Sequence, residues 1–400
     1  MRVGKAAVRA VNTLTARWAA VQESGTVFSA AGVWPLLGFL ADGAEGAARA
    51  ELAEAVGLPA DEAAGAAREL LGTMAGIGGL DTALGVWTKR TLELREEWAA
   101  GLPADAHGVL TGDEPVDRRA LDSWAMRRTG GLIERMPVRL TEDTEFVLAS
   151  ALAMRTRWLA PFEESPLETA YEPWAAVERL GLTRSSVLLE RIGVADTPDG
   201  FVTELKVLGG NALDVHLLLG EERMTPGQVL GAGVGILGGA HRVVPGGRLP
   251  YGEPGPGVRV EKVRCASPRP PRLDVTTVAY DLTASHDLLE LHRLFGLTTA
   301  MDTSRGHFPG ISAYPLGVGS AEQATTAKFG ALGFEAAAVT AFGMVGAGIP
   351  QRRHVTTRID ARFDRPFGFL ALHRHSRLVL AAGWVTDPLP FPEHPWEDDE

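Results

Sequence analysis

The histidines come closest to a metal-binding spacing. His373 and His375 lie two residues apart, on one face if the chain is extended, and His286 and Glu290 lie four apart, on one face of a helix. A zinc site needs three or four ligands, and neither pair has a third candidate ligand at a suitable spacing nearby. We therefore expect solvated side chains here, with no metal and no bound cofactor.

Nucleophilic and nucleotide-binding chemistry is also poorly represented. The segment GISAY at 310–314 lacks the final glycine of the G-x-S-x-G nucleophile elbow. Cys265, the single cysteine, cannot pair within the chain, and its apolar and basic neighbours favour a small core residue. GVGILG at 233–238 matches a dinucleotide-binding glycine pattern, but Pro226 and Pro245 flank it instead of a strand and an opening helix. We predict no catalytic residue.

Composition and charge argue against some classes of binding partner. The chain has 400 residues, of which 45% are hydrophobic, and its 39 basic and 50 acidic residues give a net charge of −11. Excess acid repels phosphate backbones, so we expect no nucleic-acid partner. No apolar run reaches the length of a signal peptide core or a membrane span, and the single thiol favours the cytoplasm. Because only five of the basic residues are Lys, GC-rich coding and a bacterial source are expected.

Hydrophobic periodicity predicts helices early in the chain and strands later. Helices are expected over 28–40, 43–58 with a stop at Gly57, 62–74, and 121–136 with a stop at Gly130 and Gly131. Strand-length apolar runs follow at 146–154, 212–219 and 273–280, and 367–372 with 378–384 reads as a hairpin. The absence of regular strand–helix alternation predicts the α+β class.

The segment GFEAAAVTAFGMVGAG at 333–348 is the most unusual stretch. It is built from small and apolar residues, and no charge occurs between Glu335 and Arg352. Such a stretch predicts a long loop that could also become a buried strand. At a period of two residues, the side chains on the same face as Phe334 are Ala336, Ala338, Thr340, Phe342 and Met344.

Together with its neighbours, this segment resembles the hinge and reactive loop of the serpin family. The resemblance extends over nearly the whole chain, in family order and spacing. The segments that carry it are TVFSAAGVW (26–34), GAEGAARAEL (43–52), ALGVW (83–87), SWAMRRTGGLI (123–133), FVLASALAMRTRWLAPF (146–162), RFDRPFGFLALH (362–373) and GWVTDP (383–388).

The resemblance implies a serpin fold: a single α+β domain over 1–400 with about nine helices, three β-sheets and an exposed reactive loop at about 333–355, followed by an acidic tail at 391–400. It also implies a mechanism. A serine protease cuts the loop, the hinge enters the central sheet as a new strand, and the acylated protease is deformed before the ester is hydrolysed. We therefore expect a monomeric suicide inhibitor of serine proteases without a membrane partner.

The resemblance assigns the family's functional positions to residues of this sequence. Trp158 corresponds to the tryptophan under the opening of the sheet, and the scissile bond falls at Ala347 and Gly348, which favours subtilisin-like or elastase-like proteases. A rival cut beside Arg352 or Arg353 would favour basic-selective proteases. The hinge positions are Gly333, Phe334, Glu335, Ala336, Ala337 and Ala338.

Several positions depart from the family pattern. Ala331 stands where inhibitory members usually carry Glu, and Phe334 where Thr or Ser is usual, so overpacking of about 1 to 3 kcal/mol is expected to slow insertion. In the polar cluster beneath the sheet, Gly32, Ser150 and Gln323 replace the common Ser, Asn and His. These departures keep two alternatives open: a non-inhibitory binding or carrier protein, and a recruited catalyst with a site near 225–257.

Overall fold

The computed structural model describes residues 4–104, 106–141, 144–334 and 354–392. Within these ranges the chain forms eight α-helices, which are numbered in chain order. They are α1 (Lys5–Ala19), α2 (Ala30–Gly43), α3 (Gly46–Val56), α4 (Ala60–Ala75), α5 (Glu96–Gly101), α6 (Glu114–Arg128), α7 (Pro226–Gly238) and α8 (His292–Phe295).

The strands, also numbered in chain order, form three sheets. The central sheet runs, from one edge, through β3 (His107–Leu110), β2 (Leu80–Lys89), β4 (Phe146–Met154), β16 (Ser320–Phe329), β17 (Gly333–Phe334) and β5 (Thr156–Arg157), with β15 (Tyr280–Asp287) also beside β16. The second runs through β1 (Thr26–Phe28), β20 (Leu378–Val385), β19 (Phe367–His373), β10 (Leu213–Gly220), β9 (Gly200–Leu208), β8 (Ile192–Thr197) and β11 (Val243–Pro245). The third runs through β12 (Gly252–Gly255), β13 (Val258–Cys265), β18 (His354–Arg362), β14 (Arg272–Val278), β7 (Arg179–Ser186) and β6 (Glu163–Leu167).

The α+β class and the three sheets are confirmed, as are the early helices and the β19–β20 hairpin. The described residues hold eight helices where about nine were expected. The helix predicted over 121–136 begins earlier and ends at Arg128, because Gly130 (φ 58°) and Gly131 (φ 86°) adopt left-handed conformations that stop it.

Residues 226–238 correct the interpretation of the Gly-rich segment. They form α7, whose first turn is closed by a capping box: Thr225 Oγ1 accepts from the Gln228 N–H, and Gln228 Oε1 accepts from the Thr225 N–H. The glycines of 233–238 therefore lie in the second half of a helix, not in a turn before one. A Cβ at Gly233 would lie 2.2 Å from Leu218 Cδ1, so close packing on β10 favours glycine there.

Two further expectations were wrong. His286 lies on β15, not on a helix, and its Nε2 is 2.9 Å from the Val27 carbonyl oxygen, so it does not share a helical face with Glu290. Cys265 ends β13 and is only partly buried, so it is not a core residue. No helix in the described part of the chain is both long and apolar enough to cross a bilayer.

Helix α2 connects the sheets. It is apolar on nearly all sides, which is typical of a helix buried within the protein. It packs against α3 and α4, against β2 and β4 of the central sheet, and against β20 of the second sheet. Its N-cap, Ser29, accepts a hydrogen bond from the Gly32 N–H, which closes the first turn of the helix.

Candidate functional site

The central sheet opens at one end of its middle pair of strands. Strands β4 and β16 are parallel, and their residues pair from Val147 with Ser320 to Leu152 with Thr325. Beyond Thr325 the two strands no longer pair, although β16 stays paired with β15 on its other edge up to Phe329. The middle of the sheet therefore contains a gap between neighbouring strands.

The two-residue strand β17 lies in this opening. Phe334 pairs with Phe329 of β16 on one side and with Thr156 of β5 on the other. A Cβ at Gly333 would lie 2.2 Å from the Thr156 carbonyl oxygen, so this close approach requires glycine. Phe334 is only 2% exposed, and its ring centroid is 6.3 Å from that of Phe369. The ring expected to crowd the sheet thus already occupies a packed place within it.

Trp158 fixes the turn that leads into β17. Its indole N–H donates to the Gly330 carbonyl oxygen at 2.8 Å, and its backbone N–H donates to that of Leu332 at 2.9 Å. The Phe162 N–H donates to the carbonyl oxygen of Ala331, which is buried at 4% exposure. An ionised Glu at position 331 would need a partner in this environment, whereas Ala needs none.

An aromatic layer packs beneath the opening, centred on Phe329. Its ring lies 4.9 Å from Trp158, 5.8 Å from Phe162 and 5.3 Å from Tyr280, against which it stacks. Complete burial raises the pKa of Tyr280 well above its ordinary value, so this phenol stays neutral. The Arg184 guanidinium caps the layer 4.3 Å from the Phe162 centroid, and burial followed by repulsion from Arg191 lowers its pKa to about 10.

Replacing Trp158 with Phe tests the anchor of the turn. We expect Trp158→Phe to keep the tilted ring contact with Phe329 but to leave the Gly330 carbonyl without its side-chain donor, at a loss of about 1 to 2 kcal/mol in unfolding free energy. Urea denaturation measures this loss in unfolding free energy. Trp18→Phe is the matched control, because the buried Trp18 indole N–H has no acceptor among the described residues. Equal losses in both variants would contradict the anchoring role.

A polar cluster lies farther along the same pair of strands. Gln323 of β16 is fully buried; its Oε1 accepts from the Ser29 N–H at 2.8 Å, and its Nε2 donates to the Ser29 carbonyl oxygen at 2.7 Å. Ser150 of β4 pairs with Gln323 in the ladder, but its buried hydroxyl has no hydrogen-bond partner in the described part of the chain. A Cβ at Gly32 would lie 2.6 Å from that hydroxyl oxygen. The cluster therefore ties β16, but not the Ser150 side chain of β4, to the N-terminus of α2.

The structure thus brings Gly333, Phe334 and Trp158 together at the opening, and Ser150 and Gln323 at the ladder. Sequence reasoning missed the roles of Ser29 and Phe329, although a serine just before an apolar run is itself a helix-start signal. Eight predicted site residues lie outside the described ranges and stay predictions: Glu335, Ala336, Ala337, Ala338, Ala347, Gly348, Arg352 and Arg353.

Comparison with known proteins agrees with this architecture. A family model described as Serpin (serine protease inhibitor) matches residues 4–173. A serpin-Z6C from Oryza sativa subsp. japonica is 26% identical, with 90% of each chain covered. Both matches are serpins, and the chain has the serpin fold. The chain thus combines this fold with a central sheet that is open beside Gly333 and Phe334.

Solved structures show the same fold at low sequence identity. A serpin from the trematode Schistosoma haematobium superposes with a TM-score of 0.71 at 14% identity, covering 96% of this chain and all of that one. A thyroxine-binding globulin in complex with thyroxine also gives 0.71, at 15% identity, covering 96% of this chain and 99% of the other. These likenesses concern the fold alone, and the second shows that the fold also serves a ligand-binding protein.

Proposed function

We propose that this serpin is a suicide inhibitor of serine proteases, acting by loop cleavage and insertion of the hinge into the central sheet. The observation that carries the proposal is β17: Gly333 and Phe334 already lie between β16 and β5, at the end where the β4–β16 ladder has stopped. A strand that has begun to enter an open sheet can be extended from its fixed end. From the sequence we further propose a monomer in the bacterial cytoplasm.

The energetics favour extension once the loop is cut. Insertion of about 14 residues forms a similar number of ladder hydrogen bonds at about 1 kcal/mol each, and it separates only the short β4–β16 ladder. The polar cluster helps that separation, because Gln323 holds β16 to Ser29, while the Ser150 hydroxyl on β4 has no hydrogen bond to any described residue that would have to break. A protease is itself stable by only about 5 to 15 kcal/mol, so this release is sufficient to deform it.

The direct test is incubation with subtilisin, elastase and trypsin, followed by denaturing electrophoresis and mass spectrometry. The proposal expects a denaturant-resistant complex with the mass of protease plus the cleaved serpin. We propose cleavage between Ala347 and Gly348 by subtilisin or elastase, and the mass of the released C-terminal peptide separates this from a cut beside Arg352 or Arg353. Cleavage by every protease without any complex would refute inhibition.

A pair of hinge variants separates insertion from cleavage. Ala338 shares a face with buried Phe334 at a period of two residues, so Ala338→Arg would bury a charge on insertion, whereas Ala337→Arg falls on the other face. We expect Ala338→Arg to be cut as a substrate with at least about tenfold less complex, since a buried unpaired charge costs several kcal/mol. Ala337→Arg should keep most of its activity. Equal behaviour of the two variants would argue against insertion.

A second candidate, a carrier for a small organic acid, is favoured by one cavity of about 320 Å³. It lies between β9, β10 and the C-terminal end of α7. At its base Glu204 Oε1 is 2.8 Å from His216 Nδ1, and Lys206 Nζ is 3.4 Å from Glu204 Oε2. Burial alone would raise the pKa of Glu204, but the hydrogen bond and charge of His216, with Lys206, hold it below its ordinary value. The four cations that line the cavity outnumber its two carboxylates; they are Arg191, Lys206, Arg374 and Arg377.

Thyroxine, the ligand of the solved neighbour, is a suitable probe of this cavity, because it joins a carboxylate to an apolar body. A carrier should show saturable heat of binding that is lost in Lys206→Ala. It should also show no gain in melting temperature after loop cleavage. Absence of binding together with complex formation would eliminate the carrier function.

A further inference from the structure

A second cavity, of about 310 Å³, lies beside the first residues of β16, at the opposite end of that strand from the hinge. Three carboxylates line it. Glu322 belongs to β16 and pairs directly with Asp287 of β15, and Glu290 follows β15. This cavity shares no lining residue with the site described above.

The negative charge of this cavity is poorly compensated. Among the described residues that line it, Arg139 is the one cation. Its guanidinium lies 3.8 Å from Asp287 and 3.9 Å from Glu290, both beyond hydrogen-bond distance, and its side chain is 75% exposed. With Glu322 ionised, the lining carries two net negative charges.

Two buried polar groups at the cavity have no hydrogen-bond partner among the described residues. Ser320 lines it and is 2% exposed, and no described residue hydrogen-bonds the Ser320 hydroxyl. Glu322 is 3% exposed, and within the described ranges no group donates a hydrogen bond to its carboxylate. Buried polar side chains in folded proteins are nearly always partnered. Within the described part of the chain, a hydroxyl and a carboxylate thus lack partners at one cavity, which points to a ligand with hydrogen-bond donors.

The protonation of Glu322 reflects the same environment. Burial, followed by the charge of Asp287, raises the pKa of Glu322 to about 8; Glu290 acts in the same direction, and Arg139 acts against both. The free protein therefore holds a proton on Glu322 at pH 7. A cation in the cavity would favour the ionised form and release that proton.

We propose that this cavity binds a short aliphatic diamine as a dication. Two ammonium groups match the two net negative charges, and each supplies donors for the unpaired oxygens of Ser320 and Glu322. Leu289 and Met301 provide apolar wall for the carbon chain. A metal ion fits less well, because the described residues contain no group of three or more His, Cys, Asp or Glu side chains arranged to hold one.

Titration calorimetry with diaminobutane on the full chain tests the proposal. Binding must displace the Glu322 proton below its pKa, so we expect the dissociation constant to rise about tenfold for each pH unit between pH 8 and pH 6. At pH 7, close to one proton should be released per diamine bound, which appears as a dependence of the heat on the buffer's ionisation enthalpy. Binding without proton release, or no binding, would overturn the proposal.

Two cavity variants and one control complete the test. Glu322→Gln should bind diaminobutane at least tenfold more weakly and without pH dependence, and Ser320→Ala should bind several-fold more weakly with the pH dependence retained. Asp281 lies on β15, the strand that also carries Asp287, but its carboxylate forms an ion pair with Lys328 at 2.9 Å. Asp281→Asn should therefore bind diaminobutane as the unaltered protein does. Equal weakening in all three variants, or binding of Mg²⁺ in place of the diamine, would contradict the assignment.

Discussion

A single cut between Ala347 and Arg353 is expected to raise the melting temperature of this protein by about 15 to 30 °C. About 14 newly inserted residues contribute about 14 kcal/mol in ladder hydrogen bonds. In a chain of this length, each kcal/mol shifts the melting temperature by about 1 to 2 °C. The gain starts from β17, whose two residues already pair on both edges, so the remaining residues extend a formed strand. Differential scanning calorimetry before and after limited proteolysis measures it.

The Ala338→Arg variant, cut in the same way, is the control for this prediction. Its chain is nicked equally, but its hinge must bury a charge to enter the sheet, so its melting temperature should stay within a few degrees of the uncut protein. If the unaltered protein also melts without a gain after cleavage, the hinge does not enter the sheet. The carrier function would then be the better account of the fold.

Substituting Gln323 with Ala is expected to lower the free energy of unfolding by about 4 kcal/mol. The change leaves both the N–H and the carbonyl of Ser29 buried without partners, at about 1 to 3 kcal/mol each. It also opens a cavity beside a side chain that is fully buried. Urea denaturation at pH 7 measures the loss. Because Ser29 caps α2, early loss of helical signal during unfolding is a second expected sign.

Ser150→Ala is the matched control, because Ser150 faces Gln323 across the ladder and is equally buried. Its hydroxyl has no partner among the described residues, so its removal should change the free energy of unfolding by less than about 1 kcal/mol or increase it. Comparable losses in the two variants would show that the cluster acts through packing volume and not through the Gln323 hydrogen bonds.

Much of the fold followed from local pattern. The apolar run before Gly43 predicted α2, and the apolar run 146–154 predicted β4. Both elements are buried on all sides, so nearly all of their residues are apolar and the run is visible in the sequence. No helix was predicted at α7, because Gly233 was considered only as part of a dinucleotide-binding glycine pattern. Glycine normally disfavours a helix, but here close contact with Leu218 of β10 selects it, and that contact is invisible along the chain.

The candidate site was likewise predicted only in part. The family resemblance placed Gly333, Phe334 and Trp158 near one another, yet it predicted that Phe334 would crowd the sheet on entry. The structure shows the Phe334 ring already packed against Phe369, a neighbour from the second sheet. Similarly, Gln323 was seen as a departure from a common histidine, while its paired hydrogen bonds to Ser29 join residues 294 positions apart.

The sequence by itself determined most of the elements, the α+β class and the run of small residues after Gly333, because these depend on periodicity, caps and side-chain size over short spans. Only the tertiary structure decided that the central ladder stops at Thr325, that Gly333 and Phe334 already lie in the opening, and that Glu322 faces Asp287 across β15 and β16. The physical reason is that strand register and the burial of charge arise from contacts between distant segments, which no local pattern records.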